Sequence, residues 1–361
     1  MILKSLLLRV AFFPCDYKSK KIDVENINLA VIHIPDQIGD AMSIFPAIRS
    51  LEARQIKHLI IVSSTMNRPV FDALSLDRTT LTVISMPFQD DASLSDIKTV
   101  ARNIRLTYGE PDLCIEAMRN KNLKTMVFIS TLRARTNFQI VGLPLKCFSP
   151  ACKIPSRMDQ TFRAPVPMSW AIMMREAGFP IVRAAFEFPL GEEVLAEVRR
   201  ETGPRGDYIA VNFEGSAAER TFTLSTASQL IAQIRERLPV PLYIVHSPKG
   251  ADTAAELCRL YENVHRLSLS PSINRSAAVI KDALMVITPD TSILHIASAC
   301  NVPAIAVYTN YKTRWATMQD VSETIVVGNN INQINLHEFD TALSNIVGRL
   351  RKDGVSVYST E

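Results

Sequence analysis

Short apolar, β-branched segments alternate with amphipathic segments along nearly the whole chain of 361 residues. Strands of four to seven residues separated by helices are typical of parallel sheets with right-handed crossovers. The chain is too long for one average core, so the pattern predicts an α/β protein with two Rossmann-like domains facing a central cleft. The predicted strands are Asn28–Ile34, His58–Val62, Leu81–Ser85, Leu113–Glu116, Asn137–Val141, Tyr208–Asn212, Pro241–His246, Val264–Leu267, Met285–Thr288 and Ala304–Tyr308.

Two Pro- and Gly-containing segments, 178–189 and 203–206, are predicted to form the passage between the domains. The first domain is therefore expected to span residues 1–180 and the second residues 181–361. The predicted helices are Ala41–Ala53, Leu94–Thr107, Asn122–Leu132, Met158–Ala177, Ser225–Leu238, Asp252–Leu260, Ile273–Asp282, Ile293–Cys300 and Leu336–Leu350.

The composition is that of a globular protein, with 47% hydrophobic and 21% charged residues. No apolar run approaches the roughly 20 residues of a membrane-spanning helix. The opening segment Met1–Pro14 mixes apolar residues with Lys4 and Arg9, unlike a secretory signal. It is predicted to be amphipathic, and either packing on the fold or contact with a membrane surface would suit it.

Positive charge is concentrated in the first half of the chain. Residues 1–180 contain 23 Lys and Arg against 16 Asp and Glu, whereas the remainder contains 17 against 20. Such an asymmetry favours an anionic partner for the first domain, namely a phosphorylated glycan, a membrane surface or a nucleic acid. A bias that serves only solubility would give the same counts.

The cysteines form no CxxC pair and have no histidine at metal-ligand spacing, which favours a reducing cytoplasm and argues against a zinc site. Three of them fall within apolar periodic segments, where a thiol behaves as a small hydrophobe. The six cysteines are Cys15, Cys114, Cys147, Cys152, Cys258 and Cys300.

The first informative loop follows the first predicted strand. Ile34 ends that strand, a glycine turn follows, and Asp40 stands at the start of a helix. A carboxylate there can cap the free N–H groups of the helix. It can equally accept a proton from a hydroxyl at the mouth of a cleft.

The second loop, Ala210–Phe222, leads from a strand into a Gly-Ser turn. Gly215 and Ser216 can offer N–H and hydroxyl donors to a phosphate, and Arg220 can form a bidentate clamp on it. Gly-Ser turns and exposed arginines are common, so the loop alone is weakly diagnostic.

The third loop brings Asp290, Thr291 and Ser292 from a buried strand to a helix N-terminus, where an anion can bind. His295 lies three residues after Ser292, near the same helix face. A lone helical histidine is more often structural than a ligand.

Several motifs are absent from the sequence. It contains no GxGxxG after the first strand and no GxxxxGK[ST], so it lacks the motifs typical of dinucleotide-binding proteins and of P-loop proteins. It also contains no Asp-x-Asp pair of the kind that holds a cation in many nucleotide-sugar transferases. A leaving diphosphate would then have to be stabilised by protein cations and helix dipoles.

In this order, the three loops resemble glycosyltransferase family 9, the heptosyltransferases of lipopolysaccharide core assembly. Gly39–Pro46 matches the family's first motif, and Pro111–Asn122 resembles its strand, acidic residue and Asn/Lys-rich turn. Gly215–Phe222 resembles its phosphate loop. Asp290–Ala297 matches its most specific motif, and the resemblance covers roughly residues 28–320.

The resemblance implies a GT-B fold and inverting, metal-independent transfer of heptose from ADP-heptose to a hydroxyl of the lipopolysaccharide core. It implies no cofactor and no nucleic acid partner, and a cytoplasmic protein at the inner face of the inner membrane. Asp40 would be the general base, in an acceptor-binding first domain. The donor-binding residues it implies in the second domain are Gly215, Ser216, Arg220, Asp252, Asp290, Thr291, Ser292 and His295.

The chain departs from the family pattern at two places. Ser292 replaces a glycine that lets the backbone approach the diphosphate, and segment 308–315 replaces the usual Gly-Pro-Thr-Asp-Pro turn. The alternatives are therefore a GT-B hexosyl- or hexosaminyltransferase that uses a UDP-sugar, and a non-catalytic nucleotide-sugar or carbohydrate-binding protein.

Overall fold

The computed structural model describes residues 12–13, 16–118, 122–140, 145–152, 164–203, 208–310 and 314–352. The chain divides into two compact units, unit 1 (Met1–Ala185) and unit 2 (Phe186–Glu361). Most of the predicted amphipathic opening segment, together with Cys15, lies outside the described residues.

Unit 1 is built on a parallel sheet of five strands in the order β3-β2-β1-β4-β5. The central strand β1 is buried along its whole length, as is usual when helices cover both faces of a parallel sheet. The strands are β1 (Leu29–Ile34), β2 (His58–Ser64), β3 (Thr80–Met86), β4 (Leu113–Glu116) and β5 (Thr136–Phe138).

The helices of unit 1 present apolar faces to this sheet. Ile97 and Ala101 of one helix and Phe128 of the next pack with Val31 and Ile60 of the strands in a single buried cluster. The helices are α1 (Ile38–Ser43), α2 (Phe45–Ala53), α3 (Leu94–Tyr108), α4 (Asn122–Leu132) and α5 (Val166–Glu176).

The predicted helix Ala41–Ala53 is two helices in the structure, α1 and α2, which divide at Ile44. Pro46 explains the break, because it has no N–H to continue the hydrogen-bond ladder of the preceding turn. Pro46 instead occupies the first turn of α2, where the missing N–H would be unpaired in any case.

Unit 2 contains a parallel sheet of six strands in the order β11-β10-β9-β6-β7-β8. The strands are β6 (Ile209–Val211), β7 (Leu242–Ile244), β8 (Val264–His265), β9 (Met285–Pro289), β10 (Ala304–Tyr308) and β11 (Ser322–Val326). The helices are α6 (Glu192–Thr202), α7 (Leu224–Arg237), α8 (Ala251–Leu260), α9 (Ile273–Asp282), α10 (Ser292–Cys300) and α11 (Leu336–Lys352).

Each predicted strand corresponds to a strand of the structure, but α6 and β11 were not predicted. Only Ile325 of β11 is buried, so its apolar signal is weak at this edge of the sheet. Helix α6 is rich in charged residues and buries only Leu195, Val198 and Thr202. Both elements lack the long apolar pattern on which the sequence prediction relies.

Candidate functional site

The sheet of unit 2 has a topological switch point between β6 and β9. The two strands are hydrogen-bonded neighbours although β7 and β8 lie between them in the sequence. Ligands of open α/β sheets bind beyond the carboxyl ends of the strands at such a point. The second and third predicted loops follow these two strands, so they meet where a ligand is expected.

The loop after β9 forms the N-terminus of α10. Thr291 is the N-cap residue, and its hydroxyl accepts the Ile293 N–H at 3.3 Å. Ser292 is the first residue of the helix and is half-buried. The N–H groups that a helix leaves unpaired at this end, together with its dipole, can bind an anion.

Asn212 joins the loops after β6 and β9. Its side-chain amide donates to Thr288 Oγ1 at 2.9 Å and to Thr291 Oγ1 at 3.2 Å. The same amide group donates to the Glu214 carbonyl at 3.0 Å and accepts the Glu214 N–H at 3.0 Å. A buried amide with this many partners holds both loops in one arrangement.

The loop after β6 closes tightly around Gly215. A Cβ at this glycine would lie 2.1 Å from the backbone oxygen of Arg220, so no side chain fits there. The Gly215 N–H donates to Thr221 Oγ1 at 3.1 Å, and that hydroxyl donates to the Ala217 carbonyl at 3.0 Å. Ser216 is exposed at the turn, where its hydroxyl is accessible to solvent.

Arg220 and Asp290 interact electrostatically across the two loops. Burial raises the pKa of Asp290 to about 6, and the positive charge of Arg220 partly opposes that rise. Both side chains are half-buried. The loops thus place a guanidinium close to a helix N-terminus, which is the combination that neutralises a phosphate or diphosphate.

His295 lies in α10 but is almost fully buried, with 4% of its surface exposed. Its ring stacks on Phe186 at a centroid distance of 4.5 Å and lies 5.1 Å from the ring of Trp315. Burial lowers the pKa of His295 to about 3, so the imidazole is neutral at physiological pH. Its Nδ1 has no hydrogen-bond partner among the described residues.

The remaining predicted residue, Asp252, is exposed in the first turn of α8. Its carboxylate makes no hydrogen bond or ion pair with the described part of the chain. The structure therefore brings together the residues of the β6 and β9 loops. Within the described residues, the structure shows no side-chain contact between Asp252 and the residues of these two loops.

Asp290 provides a test through stability. Its folded-state pKa of about 6 lies above the ordinary value of 3.8 for an aspartate, so its contribution to stability is present at low pH and lost as the pH rises through 6. We expect the free energy of unfolding of Asp290→Asn, relative to the unmodified protein, to increase by roughly 2–3 kcal/mol between pH 4 and pH 8. Urea denaturation at several pH values measures this difference, and a pH-independent difference would contradict it.

In unit 1, Asp40 occupies the third position of α1 and is half-buried. The N-cap residue is Gln37, and no side chain caps the helix there. The alternative in which Asp40 is the N-cap is therefore wrong. A carboxylate in the first turn is still stabilised by the helix dipole.

The loop that precedes α1 is held from several sides. Asp36 is 4% exposed, and its carboxylate accepts the Gln37 N–H at 2.8 Å and the Gln89 amide at 2.5 Å. Asn67 donates to the Ile34 carbonyl at 2.7 Å, and Ser64 donates to the Asp36 carbonyl at 2.9 Å. These contacts place the start of α1, and with it Asp40, in a defined position.

The acidic residue of the mid-domain motif, Glu116, is buried at the end of β4. One of its carboxylate oxygens lies 2.8 Å from Nδ1 of His33, and the other accepts the Met118 N–H at 2.9 Å. The His33 ring stacks on Phe128 with centroids 3.6 Å apart. Glu116 thus orients the loop after β4, of which residues 119–121 lie outside the described residues.

Sequence reasoning missed Asn212, Asp36, Phe186 and Trp315. Asn212 carried a usable signal, because it is a polar residue at the carboxyl end of a predicted strand. Phe186 and Trp315 carried none, since they reach His295 from distant parts of the chain.

Two parallel-sheet α/β units in one chain are typical of the GT-B fold. Residues 199–344 match the profile of glycosyltransferase family 9 (heptosyltransferase). The chain is also 61% identical over 234 residues to the putative uncharacterized protein YeeL of Escherichia coli (strain K12). The aligned region is 65% of this chain and 100% of YeeL. The chain belongs to glycosyltransferase family 9.

Solved structures share the fold at low sequence identity. The family 9 glycosyltransferase of Veillonella parvula aligns with a TM-score of 0.71 at 14% identity, over 92% of this chain and 100% of that chain. The Escherichia coli ADP-heptose lipopolysaccharide heptosyltransferase II aligns with a TM-score of 0.67 at 13% identity, over 90% of this chain and 100% of that chain. Escherichia coli heptosyltransferase WaaC with ADP aligns with a TM-score of 0.63 at 13% identity, over 89% of this chain and 99% of that chain.

Proposed function

We propose that this glycosyltransferase transfers heptose from ADP-heptose to a hydroxyl of the lipopolysaccharide core, with inversion and without a metal. The observation that carries the proposal is the joining of the β6 and β9 loops, which places Arg220 near the N-terminus of α10. Among proteins of the same fold, WaaC has been solved with ADP and with ADP-2-deoxy-2-fluoro heptose. Residues 181–361 would bind the nucleotide sugar, and residues 1–180 the acceptor.

The proposed reaction is a single displacement. The acceptor hydroxyl oxygen forms a bond to the anomeric carbon of the heptose while the bond from that carbon to the diphosphate oxygen breaks. Asp40 takes the proton of the attacking hydroxyl. The negative charge that appears on ADP is stabilised by Arg220 and by the N–H groups of α10. Ser216, Thr291 and Ser292 would supply further hydrogen bonds to the donor, and Gly215, whose N–H already donates to Thr221 Oγ1, would let the loop stay closed beside it.

Donor competition in excess EDTA tests this proposal. Release of ADP from ADP-heptose under these conditions would support both the donor and the absence of a metal requirement. Complete inhibition by EDTA with recovery in Mg²⁺ or Mn²⁺ would contradict the metal-independent mechanism. Release of UDP from a UDP-sugar would favour a hexosyl- or hexosaminyltransferase. This alternative is tested because Ser292 stands where the family has a glycine at the diphosphate.

Arg220 gives a second test. Replacement by alanine is expected to weaken donor binding by about 1.5–3 kcal/mol, the range for a hydrogen bond to a charged partner. Arg235→Ala removes an exposed arginine of α7 and is the matched control, for which ADP binding should be unchanged. Isothermal titration with ADP measures both variants, and equal affinities would exclude the proposed role of Arg220.

We further propose that the protein works in the cytoplasm and binds the inner face of the inner membrane reversibly. One exposed stripe of α3 contains Lys98, Arg102 and Arg105, which form no ion pairs within the described residues, followed by Leu106 with 77% of its surface exposed. Each basic side chain near an anionic surface contributes on the order of 1 kcal/mol. Among the described residues, no helix is long and apolar enough to cross a membrane.

Sedimentation with anionic liposomes checks the membrane contact. We expect the protein to pellet with the liposomes at low salt and to be released at high salt, because the attraction is screened. Removing residues 1–13, or changing Lys98, Arg102 and Arg105 to Gln, should reduce pelleting more than turnover of a soluble acceptor. Gln at Arg235, Arg351 and Lys352 of unit 2 is the control. Protein that stays in the supernatant at both salt concentrations would contradict membrane binding.

A further inference from the structure

A third loop of unit 2 is attached to the two that form the candidate site. It follows β7 and contains the short 3-10 turn Pro248–Gly250, which Ser247 caps. The carboxylate of Glu214 accepts the Ser247 N–H at 2.5 Å and the Ser247 hydroxyl at 2.8 Å. The same hydroxyl accepts the Lys249 N–H at 3.1 Å, so one carboxylate orients the whole turn.

The backbone of this turn is fitted closely to Glu214. A Cβ at Gly250 would lie 2.4 Å from the carboxyl carbon of Glu214 and 2.6 Å from both of its oxygens. A side chain at position 250 would therefore displace the carboxylate. Two independent features, the paired hydrogen bonds and the glycine, define the same contact.

The backbone of Glu214 continues this contact toward the helix N-terminus. Its N–H and carbonyl are both bonded to the side chain of Asn212, which also donates to Thr291. A continuous hydrogen-bond network of Thr291, Asn212, Glu214 and Ser247 thus connects the loops after β9, β6 and β7. We call these four residues the loop network.

We propose that Glu214 is a positioning residue that makes the loop after β7 part of the donor site. The loop network arranges the phosphate-binding groups and the turn carrying the exposed Lys249 before the nucleotide arrives. A surface ordered in advance binds more tightly, because less conformational entropy is lost on binding. This inference rests on the proposed nucleotide-sugar donor, and it adds a residue that touches its neighbours rather than the reacting atoms.

The sign of the effect separates positioning from simple charge. Glu214→Gln removes a negative charge near the expected diphosphate, so electrostatics alone would strengthen anion binding. Glutamine keeps one acceptor oxygen but has an NH2 donor in place of the other, so one of the two Ser247 hydrogen bonds is lost, which would loosen the turn and weaken binding. Glu219→Gln removes an exposed charge from the same loop and reports the electrostatic effect by itself.

Isothermal titration with ADP, and with UDP in parallel, tests the proposal on the full-length protein. We expect Glu214→Gln and Ser247→Ala each to weaken nucleotide binding by about 10-fold or more. Ser247→Thr, which retains the hydroxyl, should restore most of it, and Glu219→Gln should bind no more weakly than the unmodified protein. In steady-state kinetics, KM for the donor should rise while kcat changes little.

The outcomes distinguish this inference from the function on which it rests. Normal nucleotide affinity in Glu214→Gln and Ser247→Ala would overturn the positioning role and leave the donor site in place. Failure of the unmodified protein to bind either nucleotide would overturn the proposed function, and this inference with it. Equal weakening by Glu219→Gln would show that the effect is not specific to the contact between Glu214 and Ser247, and would also overturn the inference.

Discussion

Asp40→Asn is expected to lower the rate of transfer by roughly 10²–10⁴ while donor affinity stays unchanged, as is usual when a general base is lost. Asparagine has nearly the same shape but cannot accept the proton of the acceptor hydroxyl. The half-buried carboxylate stands in the first turn of α1, just after the loop held by Asp36 and Asn67. Turnover with saturating donor, together with ADP titration, measures the two quantities separately.

A loss of stability is distinguished from the loss of a base by urea denaturation of Asp40→Asn beside the turnover assay. The helix dipole contributes about 0.3–1 kcal/mol to the stability of a carboxylate in the first turn of a helix. Asp91→Asn removes an exposed carboxylate from the same unit and serves as the control, with turnover expected to be normal. If Asp40→Asn turns over at a rate near that of the control, Asp40 is structural and another group must take the proton.

Gly215→Ala is expected to weaken donor binding by about 10²-fold, because the loop after β6 cannot close around a side chain. The added Cβ would lie 2.1 Å from the Arg220 backbone oxygen and 2.6 Å from the Arg220 Cβ. The loop must then open and carry Arg220 away from its position near Asp290. A displacement of about 1 Å in such a clamp is enough for an effect of this size.

The stability of Gly215→Ala should fall by about 1–3 kcal/mol, the usual effect of overpacking. Gly348→Ala is the matched control in unit 2, since a Cβ there meets no described atom within 4 Å and the site is interior to α11. That control should gain about 0.5–1 kcal/mol and bind ADP normally, because alanine favours a helix. Normal ADP binding by Gly215→Ala would show that the loop does not contact the donor.

The local pattern of the sequence was sufficient for most of the fold. Buried strands such as β1 and β9 are continuous apolar runs, and helices such as α9 carry one apolar face. Both patterns arise from the period of the backbone itself and need no knowledge of distant residues. Helix α6 and strand β11 were missed for the same reason, since each buries too little apolar surface to produce the pattern.

The candidate site could be predicted only in part. Asp40, Arg220 and Asp290 were found because they follow strands, and parallel strands end at one edge of their sheet. The family motif at Asp290–Ala297 added His295, but not its burial against Phe186 and Trp315. The order of the strands in the sheet determines which loops contact one another. The spacing of apolar residues within a single segment does not specify that order.

The sequence by itself therefore determined the class of fold, the loops that follow the strands and the residue types available for binding an anion. The tertiary structure alone decided which of those residues lie next to one another in one site. Asn212 contacts Thr291 from 79 residues away, and Glu214 contacts Ser247 from 33 residues away. Such contacts follow from the pairing of β6 with β9 and β7, which the burial of the whole sheet selects and no local segment encodes.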